Sequence, residues 1–193
     1  MTWHKIRAVL QLRQESLNSA ILPAKNRYFV IEKSNLQKKL HTPGEEYSFS
    51  DYTLIIAPML YMLADGLDQK LTEYVSNGGT LVSAYMTGWT NSDDLCFLGG
   101  FPGGNPKELF GIWAEEIDEL YSSDENHIRM NASAGLSCTY TAVDICETVH
   151  PVTAEALAEY TDDFYADSPA LFKNHFGNGC AFYTYLLLIL FYI

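Results

Sequence analysis

YTLIIAPMLYMLADGLDQKLTEYVSNGGTLVSAY, residues 52–85, is the stretch that decides the fold. It begins with YTLIIA at residues 52–57, a nearly continuous apolar run with β-branched residues at its centre, which ends at Pro58. Such a run predicts a strand that is covered on both faces, as strands of parallel sheets are. TLVSAY at residues 80–85 has the same character and predicts a second buried strand.

Between the two runs, apolar residues recur at the spacing of one helix face. These residues are Leu63, Leu67, Leu71, Tyr74 and Val75. Asp65 is placed to cap the start of the predicted helix, and Gly78 is placed to end it. Because two strands joined by one helix form a parallel crossover unit, the predicted fold class is α/β.

The flanking segments contain weaker signals. An irregular stretch at residues 86–106 is rich in glycine, and loops of this length are often functional or lie at interfaces. FGNG at residues 176–179 has the turn chemistry of a hairpin, which predicts an antiparallel C-terminal edge on a mainly parallel sheet. The other predicted elements are a helix at 3–17 and strands at 28–31, 155–160, 170–176 and 180–185.

Composition limits the architecture and the partners. A chain of 193 residues is long enough for one sizeable core, so residues 1–193 are predicted to form a single domain. The formal net charge of -12 argues against nucleic acid as a partner, because phosphate binding needs clustered Lys and Arg.

Cysteine spacing and hydropathy give no sign of a metal site, a secretion signal or a membrane span. Cys96, Cys138, Cys146 and Cys180 form no CxxC pair, which argues against a zinc ribbon or a thioredoxin-type motif. The apolar run at residues 8–10 is too short for a signal-peptide core. The longest apolar stretch, residues 181–193, is shorter than the roughly 20 residues of a membrane helix. We therefore expect a cytoplasmic protein without metal or membrane attachment.

Several motifs in order resemble the middle domain of the glycoside hydrolase family 42 β-galactosidases. They are APMLYM at 57–62, NGGTLV at 77–82, DLCFLGGFPG at 94–103 leading to GIW at 111–113, DDFY at 162–165, SPAL at 168–171 and FGNG at 176–179. The last differs from the family pattern, which usually has a basic residue in place of Asn178. Residues 1–51 match the pattern poorly, and the apolar tail at residues 183–193 is unlike the polar loop and helix that normally follow.

The resemblance implies a three-layer flavodoxin-like or class I glutamine amidotransferase-like domain with no catalytic residues and no cofactor of its own. It implies an assembly domain that holds three subunits of a β-galactosidase together as a homotrimer. The parent enzyme is expected to hydrolyse terminal non-reducing β-D-galactosides with two glutamates in a separate barrel. The partners implied are therefore further copies of this chain and the barrel of the parent enzyme, and the chain alone is expected to be inactive.

Two alternatives are a stand-alone amidotransferase-like enzyme and a sugar-binding flavodoxin-like module. An amidotransferase needs a nucleophilic Cys at the sharp turn after a central strand, where this chain has Met86 and Thr87. His150 and His175 are more simply interpreted as structural or solvated, and the acidic run at residues 115–119 as a solvated face. A flavin is disfavoured because no phosphate-cradling glycine loop follows either buried strand.

Aromatic residues cluster in and beside residues 86–113, which we call the 86–113 loop. Interfaces favour aromatic side chains because these bury a large area with few torsions to freeze. The loop is therefore predicted to form the main contact between copies, although core packing explains the aromatic residues about equally well. The candidate interface residues are Tyr61, Met62, Trp89, Phe97, Phe101 and Trp113.

Overall fold

The computed structural model describes residues 28–32, 38–41, 48–121, 123–134, 139–142 and 145–184. The helix predicted at residues 3–17 and the apolar tail beyond residue 184 lie outside this part of the chain. Strands dominate the described residues. They are β1 Tyr28–Glu32, β2 Lys38–His41, β3 Tyr52–Ala57, β4 Thr80–Ala84, β5 Ile112–Glu119, β6 Asn126–Met130, β7 Thr139–Ala142, β8 Ile145–Pro151, β9 Glu155–Tyr160, β10 Pro169–Phe176 and β11 Gly179–Thr184.

Two α-helices accompany these strands in the described residues, α1 at Leu67–Ser76 and α2 at Pro106–Phe110. Short 3-10 helices lie at Phe49–Asp51, Ala132–Ala134 and Asp163–Tyr165. None of the helices in the described part of the chain has the length and apolar character to cross a membrane.

Nine of the strands form one curled, mixed sheet in the order β2-β1-β3-β4-β11-β10-β9-β6-β7. Strands β3, β4 and β11 are parallel to one another, and every other neighbouring pair in this sheet is antiparallel. Strands β5 and β8 form a separate antiparallel ribbon of two strands. The predicted unit of strand, helix and parallel strand at residues 52–85 is confirmed as β3, α1 and β4.

The predicted flavodoxin-like or amidotransferase-like architecture is wrong. In such a fold helices cover both faces of a parallel sheet. Here the buried residues of α1 belong to the same core cluster as Leu109 and Phe110 of α2, so these two helices lie on one face only. The predicted antiparallel edge is wrong as well. The hairpin of β10 and β11 forms as expected, but β11 lies inside the sheet, parallel to β4.

The second face is closed by the curl of the sheet itself. One core cluster joins Leu54 of β3 and Val82 of β4 to Ile128 of β6 and Leu157 of β9. Of these two outer strands, β9 confirms the strand predicted at residues 155–160, whereas the sequence predicted no strand at β6. In the ribbon, β5 has weak alternation because it exposes acidic side chains along most of its length and interrupts its register with a bulge near Glu115, whereas β6 does alternate between buried and more exposed residues.

Helix α1 begins later than its apolar pattern predicts. It starts at Leu67 after Gly66, which has a φ of 72°, and the predicted cap Asp65 instead accepts a hydrogen bond of 2.6 Å from the Ser92 hydroxyl. The predicted C-terminal signal at Gly78 is confirmed. Gly78 has a φ of 101° and donates its N–H to the Val75 carbonyl at 2.9 Å.

The β10–β11 hairpin docks directly on the end of α1. Asn178 donates its N–H to the Ser76 carbonyl oxygen at 2.9 Å, and Cys180 donates to the Gly79 carbonyl at 3.2 Å. A Cβ atom placed on Gly179 would lie 2.1 Å from the carbonyl oxygen of Val75 and 2.3 Å from that of Gly79. Because both neighbours are backbone atoms, they have little freedom to move aside.

We therefore predict that Gly179→Ala lowers the free energy of unfolding by about 2 to 3 kcal/mol. The exposed neighbour is the control, since Asn178→Ala is expected to change that free energy by no more than about 0.5 kcal/mol. Urea denaturation followed by circular dichroism measures both values. Equal effects of the two substitutions would contradict this close approach.

Candidate assembly surface

The 86–113 loop begins at the edge of the sheet where the parallel strands β3 and β4 end. Its first residues run beside the segment that follows β3, and the two are joined by main-chain hydrogen bonds. Gly88 donates to the Leu60 carbonyl at 2.8 Å, and Trp89 donates to the Tyr61 carbonyl at 2.9 Å. The irregular character predicted for residues 86–106 is confirmed, and α2 follows it directly.

Buried hydroxyl groups brace the turn from which the loop starts. Ser83 donates to the Ala57 carbonyl oxygen at 2.7 Å, which ties β4 to β3. Thr87 donates to the Ala84 carbonyl at 2.6 Å and accepts a hydrogen bond of 3.3 Å from the Leu60 N–H. Because buried polar groups without partners are costly, these contacts hold the start of the loop in one conformation.

Three predicted interface aromatics form one stack. The rings of Trp89 and Phe101 lie 4.3 Å apart between centroids with an angle of 3° between their planes. Tyr61 lies 6.5 Å from Trp89 on a nearly parallel plane. All three side chains are half-buried, so they pack largely against one another and the body of the domain.

The Phe97 ring packs against Gly103 at the base of the loop. A Cβ atom on Gly103 would lie 2.1 Å from the Phe97 ring, so the chain passes the ring at a distance that only glycine permits. Gly103 also donates its N–H to the Gly88 carbonyl at 2.8 Å, which joins the two ends of the irregular segment. The loop is therefore held by its own backbone and by half-buried rings.

The exposed apolar residues of the loop lie at its tip. Leu98 is 100% exposed and Leu95 is 63% exposed. Asn91 shapes this tip by accepting hydrogen bonds on its side-chain oxygen from the backbone of Asp93 and of Leu95. Lys107 supports the far side by donating to the Gly99 carbonyl at 2.9 Å. Two large apolar side chains are thus presented to solvent on a braced loop.

Trp113 lies apart from the stack, on strand β5 of the ribbon. It is 38% exposed, and its ring lies 4.7 Å from that of His150 on the paired strand β8. Nε2 of the His150 ring lies 2.6 Å from Oε2 of Glu115. His150 is therefore partnered on the ribbon surface, in agreement with its interpretation as a structural or solvated residue.

The six predicted interface residues occupy two places. Tyr61, Trp89, Phe97 and Phe101 lie in or under the loop, and Trp113 lies on the ribbon. Met62 joins the first group through a β-bridge with Thr90. The sequence analysis did not include Leu95 and Leu98 among the candidate interface residues. Their position among the aspartates and glycines of DDLCFLGG at residues 93–100 is the pattern that indicates their exposure. Apolar residues among turn formers have little chance to reach a core.

The turn after β4 is sharply bent, as a nucleophile-bearing turn would be, but it contains no thiol. Met86 has a φ of 56°, a left-handed conformation that is uncommon for a residue with a side chain. Its N–H is donated to Oε1 of Glu147 at 2.9 Å. Cys96 lies exposed at the loop tip, and Cys180 lies on β11, where its sulfur is 3.4 Å from Nδ1 of His175.

Glu147 is the acid in this region whose pKa departs most from its ordinary value. It lies on β8, is 2% exposed, and accepts a hydrogen bond of 2.8 Å from the hydroxyl of Tyr183 on β11. Burial raises its pKa from 4.5 to about 7, and the two hydrogen bonds only partly offset that rise. Across the described residues, no group of three or more His, Cys, Asp or Glu side chains is arranged to hold a metal ion.

A family profile described as the β-galactosidase trimerisation domain matches residues 29–186, which is most of the chain. This chain belongs to the β-galactosidase trimerisation domain family. The match therefore confirms the resemblance drawn from the motifs, and it does not support the amidotransferase-like or sugar-binding alternatives.

Relatives of known function agree with this assignment. The chain is 48% identical over 137 residues to β-galactosidase Pbg of Clostridium perfringens, a match that covers 70% of this chain and 20% of the relative. It is 40% identical over 158 residues to β-galactosidase BgaP of Planococcus sp. strain L4, covering 81% of this chain and 23% of the relative. This trimerisation domain thus spans about a fifth of the length of these relatives.

Solved structures give the same result. The trimerisation domain resembles a segment of the β-galactosidase of Rahnella sp. R3 with a TM-score of 0.70 and 43% identity, covering 72% of this chain and 21% of that one. It resembles a segment of the β-galactosidase of Bacillus circulans sp. alkalophilus with a TM-score of 0.69 and 40% identity, with coverage of 72% and 21%.

The packing of the stack and the exposure of the tip predict unequal effects on stability. Phe101→Ala removes one ring of the closer pair in the stack and is expected to lower the free energy of unfolding by about 2 kcal/mol. Leu98→Ala removes a fully exposed side chain and is expected to change it by less than about 0.5 kcal/mol. Denaturation at low protein concentration checks both, and equal losses would contradict the division into stack and tip.

Proposed function

We propose that this chain is the assembly domain of a longer β-galactosidase and joins three copies of the parent enzyme into a homotrimer. The observation that carries the proposal is the family match over residues 29–186, because the matched family is described by that assembly. The chain covers only about a fifth of the length of its relatives, which supports the proposal, because the other four fifths would supply the remaining parts of the enzyme.

The chemistry of the parent enzyme belongs to its other parts. We infer hydrolysis of terminal non-reducing β-D-galactosides, because the curated relatives are β-galactosidases. A barrel of eight strands and helices takes about 250 residues, which exceeds the 193 residues of this chain. The catalytic barrel is therefore a partner of this domain, and residues 1–193 act as one non-catalytic unit. We place the parent enzyme in the cytoplasm, which the free thiols of Cys96 and Cys180 support.

The contact between copies is proposed to involve the 86–113 loop. Support comes from its tip, where Leu95 and Leu98 offer exposed apolar surface that a neighbouring copy would cover. The stack of Tyr61, Trp89 and Phe101 belongs to the same candidate surface, together with Met62 and Phe97. Trp113 extends the candidate surface onto the ribbon.

A ring of three copies constrains how this loop is used. In a closed ring each junction is heterologous, so the loop meets a different patch on its neighbour. A braced tip suits this geometry because it loses little conformational freedom when it docks. The tip therefore acts as the projecting half of each junction.

We predict that the purified chain reaches three times its monomer mass in light scattering as its concentration rises. Leu98→Asp is expected to shift the midpoint of assembly to at least tenfold higher concentration, since a loss of about 1.4 kcal/mol gives a factor of ten. The substitution places a charge where apolar contact is required.

Tyr121→Asp is the matched control, because Tyr121 is 80% exposed and lies outside the loop. It is expected to leave the assembly midpoint unchanged. A trimer that tolerates Leu98→Asp as well as Tyr121→Asp would place the interface elsewhere. A chain that remains monomeric at every concentration would contradict self-assembly of this domain.

We also predict that the purified chain does not hydrolyse a chromogenic β-galactoside. Retaining glycosidases need two carboxyl groups about 5 to 5.5 Å apart in an accessible site. The buried carboxyl of Glu147 does not meet this requirement, and the acids of β5 are exposed along a strand. Turnover that disappears when a residue of this chain is substituted would refute the prediction.

A further inference from the structure

Glu147 joins three parts of the fold that are distant in sequence. It belongs to β8, and therefore to the β5–β8 ribbon. Its Oε1 accepts the N–H of Met86, in the turn after β4, at 2.9 Å, and its Oε2 accepts the hydroxyl of Tyr183 on β11 at 2.8 Å. Among the described residues, it is the one carboxyl-bearing side chain that is buried.

Among the described residues, no side chain that lines the crevice beside this carboxyl carries a positive charge. The crevice beside it is lined by Val149, Tyr160, Pro169, Ala170, Phe172 and Tyr183. The two tyrosines, from β9 and β11, are the titratable groups that face it from the large sheet. Along the ribbon, Asp118 of β5 accepts a hydrogen bond of 3.2 Å from the Tyr165 hydroxyl, and Cys146 is buried next to Glu147. Burial without a cation favours the neutral acid, and the pKa rises to about 7.

We propose that Glu147 is a proton-operated latch that holds the β5–β8 ribbon against the turn from which the 86–113 loop starts. The neutral side chain stays in the closed, dry position, where Oε1 accepts the Met86 N–H and the hydroxyl group of the acid is hydrogen-bonded to the Tyr183 hydroxyl. The ionised side chain is stabilised by water, which reaches it when the ribbon moves away from the turn. Protonation thereby sets how firmly the start of the loop is anchored.

The direction of the pH effect follows from the two states. The closed form keeps its proton up to about pH 7, whereas a solvated carboxyl in the open form releases it near the ordinary pKa of 4.5. Between these values the open form gains stability as the pH rises. The stability of the closed form is therefore complete below about pH 4.5 and is lost progressively as the pH rises through 7.

Two cysteines of the chain report on this opening. Cys146 precedes Glu147 on β8 and is buried on the opposite face of the strand, in the core cluster shared with β6 and β9, so a thiol reagent is expected to reach it only when the ribbon opens. Cys96 is exposed and corrects for the increase of thiol reactivity with pH. The measured quantity is the ratio of the labelling rates of Cys146 and Cys96, obtained by peptide mass mapping with a disulfide reagent that reacts in acid.

In the wild-type chain we expect this ratio to rise at least tenfold between about pH 5.5 and about pH 8. Glu147→Gln keeps the size of the side chain and removes its titration, so the ratio is expected to stay constant within about twofold. Circular dichroism verifies that both proteins are folded. Equal pH slopes in the two proteins would overturn the latch.

Tyr183→Phe gives a second test that does not depend on the folding of Glu147→Gln. It removes a hydrogen-bond donor that stabilises the ionised carboxylate, so the midpoint of the transition is expected to move to higher pH. A midpoint that stays in place or moves to lower pH would overturn the latch as well.

Control of assembly by this latch rests on the proposed function. If the loop forms the contact between copies, light scattering should show weaker assembly at about pH 8 than at about pH 6 in the wild type. The difference should vanish in Glu147→Gln. The labelling ratio needs no assembly, so a monomeric chain with a pH-dependent ratio would contradict only the trimer, and a trimer with a flat ratio would contradict only the latch.

Discussion

The central strands β3, β4 and β11 are dry on both faces, and the rest of the domain is arranged to keep them so. Neighbouring residues of one strand enter opposite cores, as Leu54 and Ile55 do on β3 and Leu81 and Val82 do on β4. Burial of each large apolar side chain contributes roughly 1.5 to 3 kcal/mol, so neither face can be left open. Helix α1 covers one face, and the curled antiparallel strands enclose the other.

With both faces of the parallel strands covered, the irregular segment lies at the carboxyl ends of these strands. The 86–113 loop begins there, and its backbone finds partners in the segment after β3 instead of in a sheet. Its aromatic residues combine core packing with candidate contact, because the stack is half-buried while the leucines at the tip are exposed. A tip that is braced in this way needs little further ordering when it meets a partner.

Glu147 is buried, although burial of an acid is energetically unfavourable. An apolar residue of similar size would suit the crevice better, yet the carboxyl links the ribbon, the turn after β4 and strand β11 through two hydrogen bonds. In the proposed latch, burial of this acid with no cation among its described neighbours makes the junction sensitive to pH. In this proposal the fold loses some stability at Glu147 and gains a response to pH.

The sequence by itself determined the unit of β3, α1 and β4, the β10–β11 hairpin, the irregular loop and the family. These features depend on local patterns, namely dry apolar runs, helical spacing, glycine at turns and motifs in a set order. Tertiary structure alone decided that β5, β6, β7 and β8 form strands; the alternation of β5 in particular is interrupted by exposed acids and a bulge. It also decided that the sheet curls where helices were expected, that Trp89 and Phe101 stack within the domain, and that Glu147 is buried. Each of these outcomes depends on which distant segment covers a residue, and a pattern along the chain contains no information about that partner.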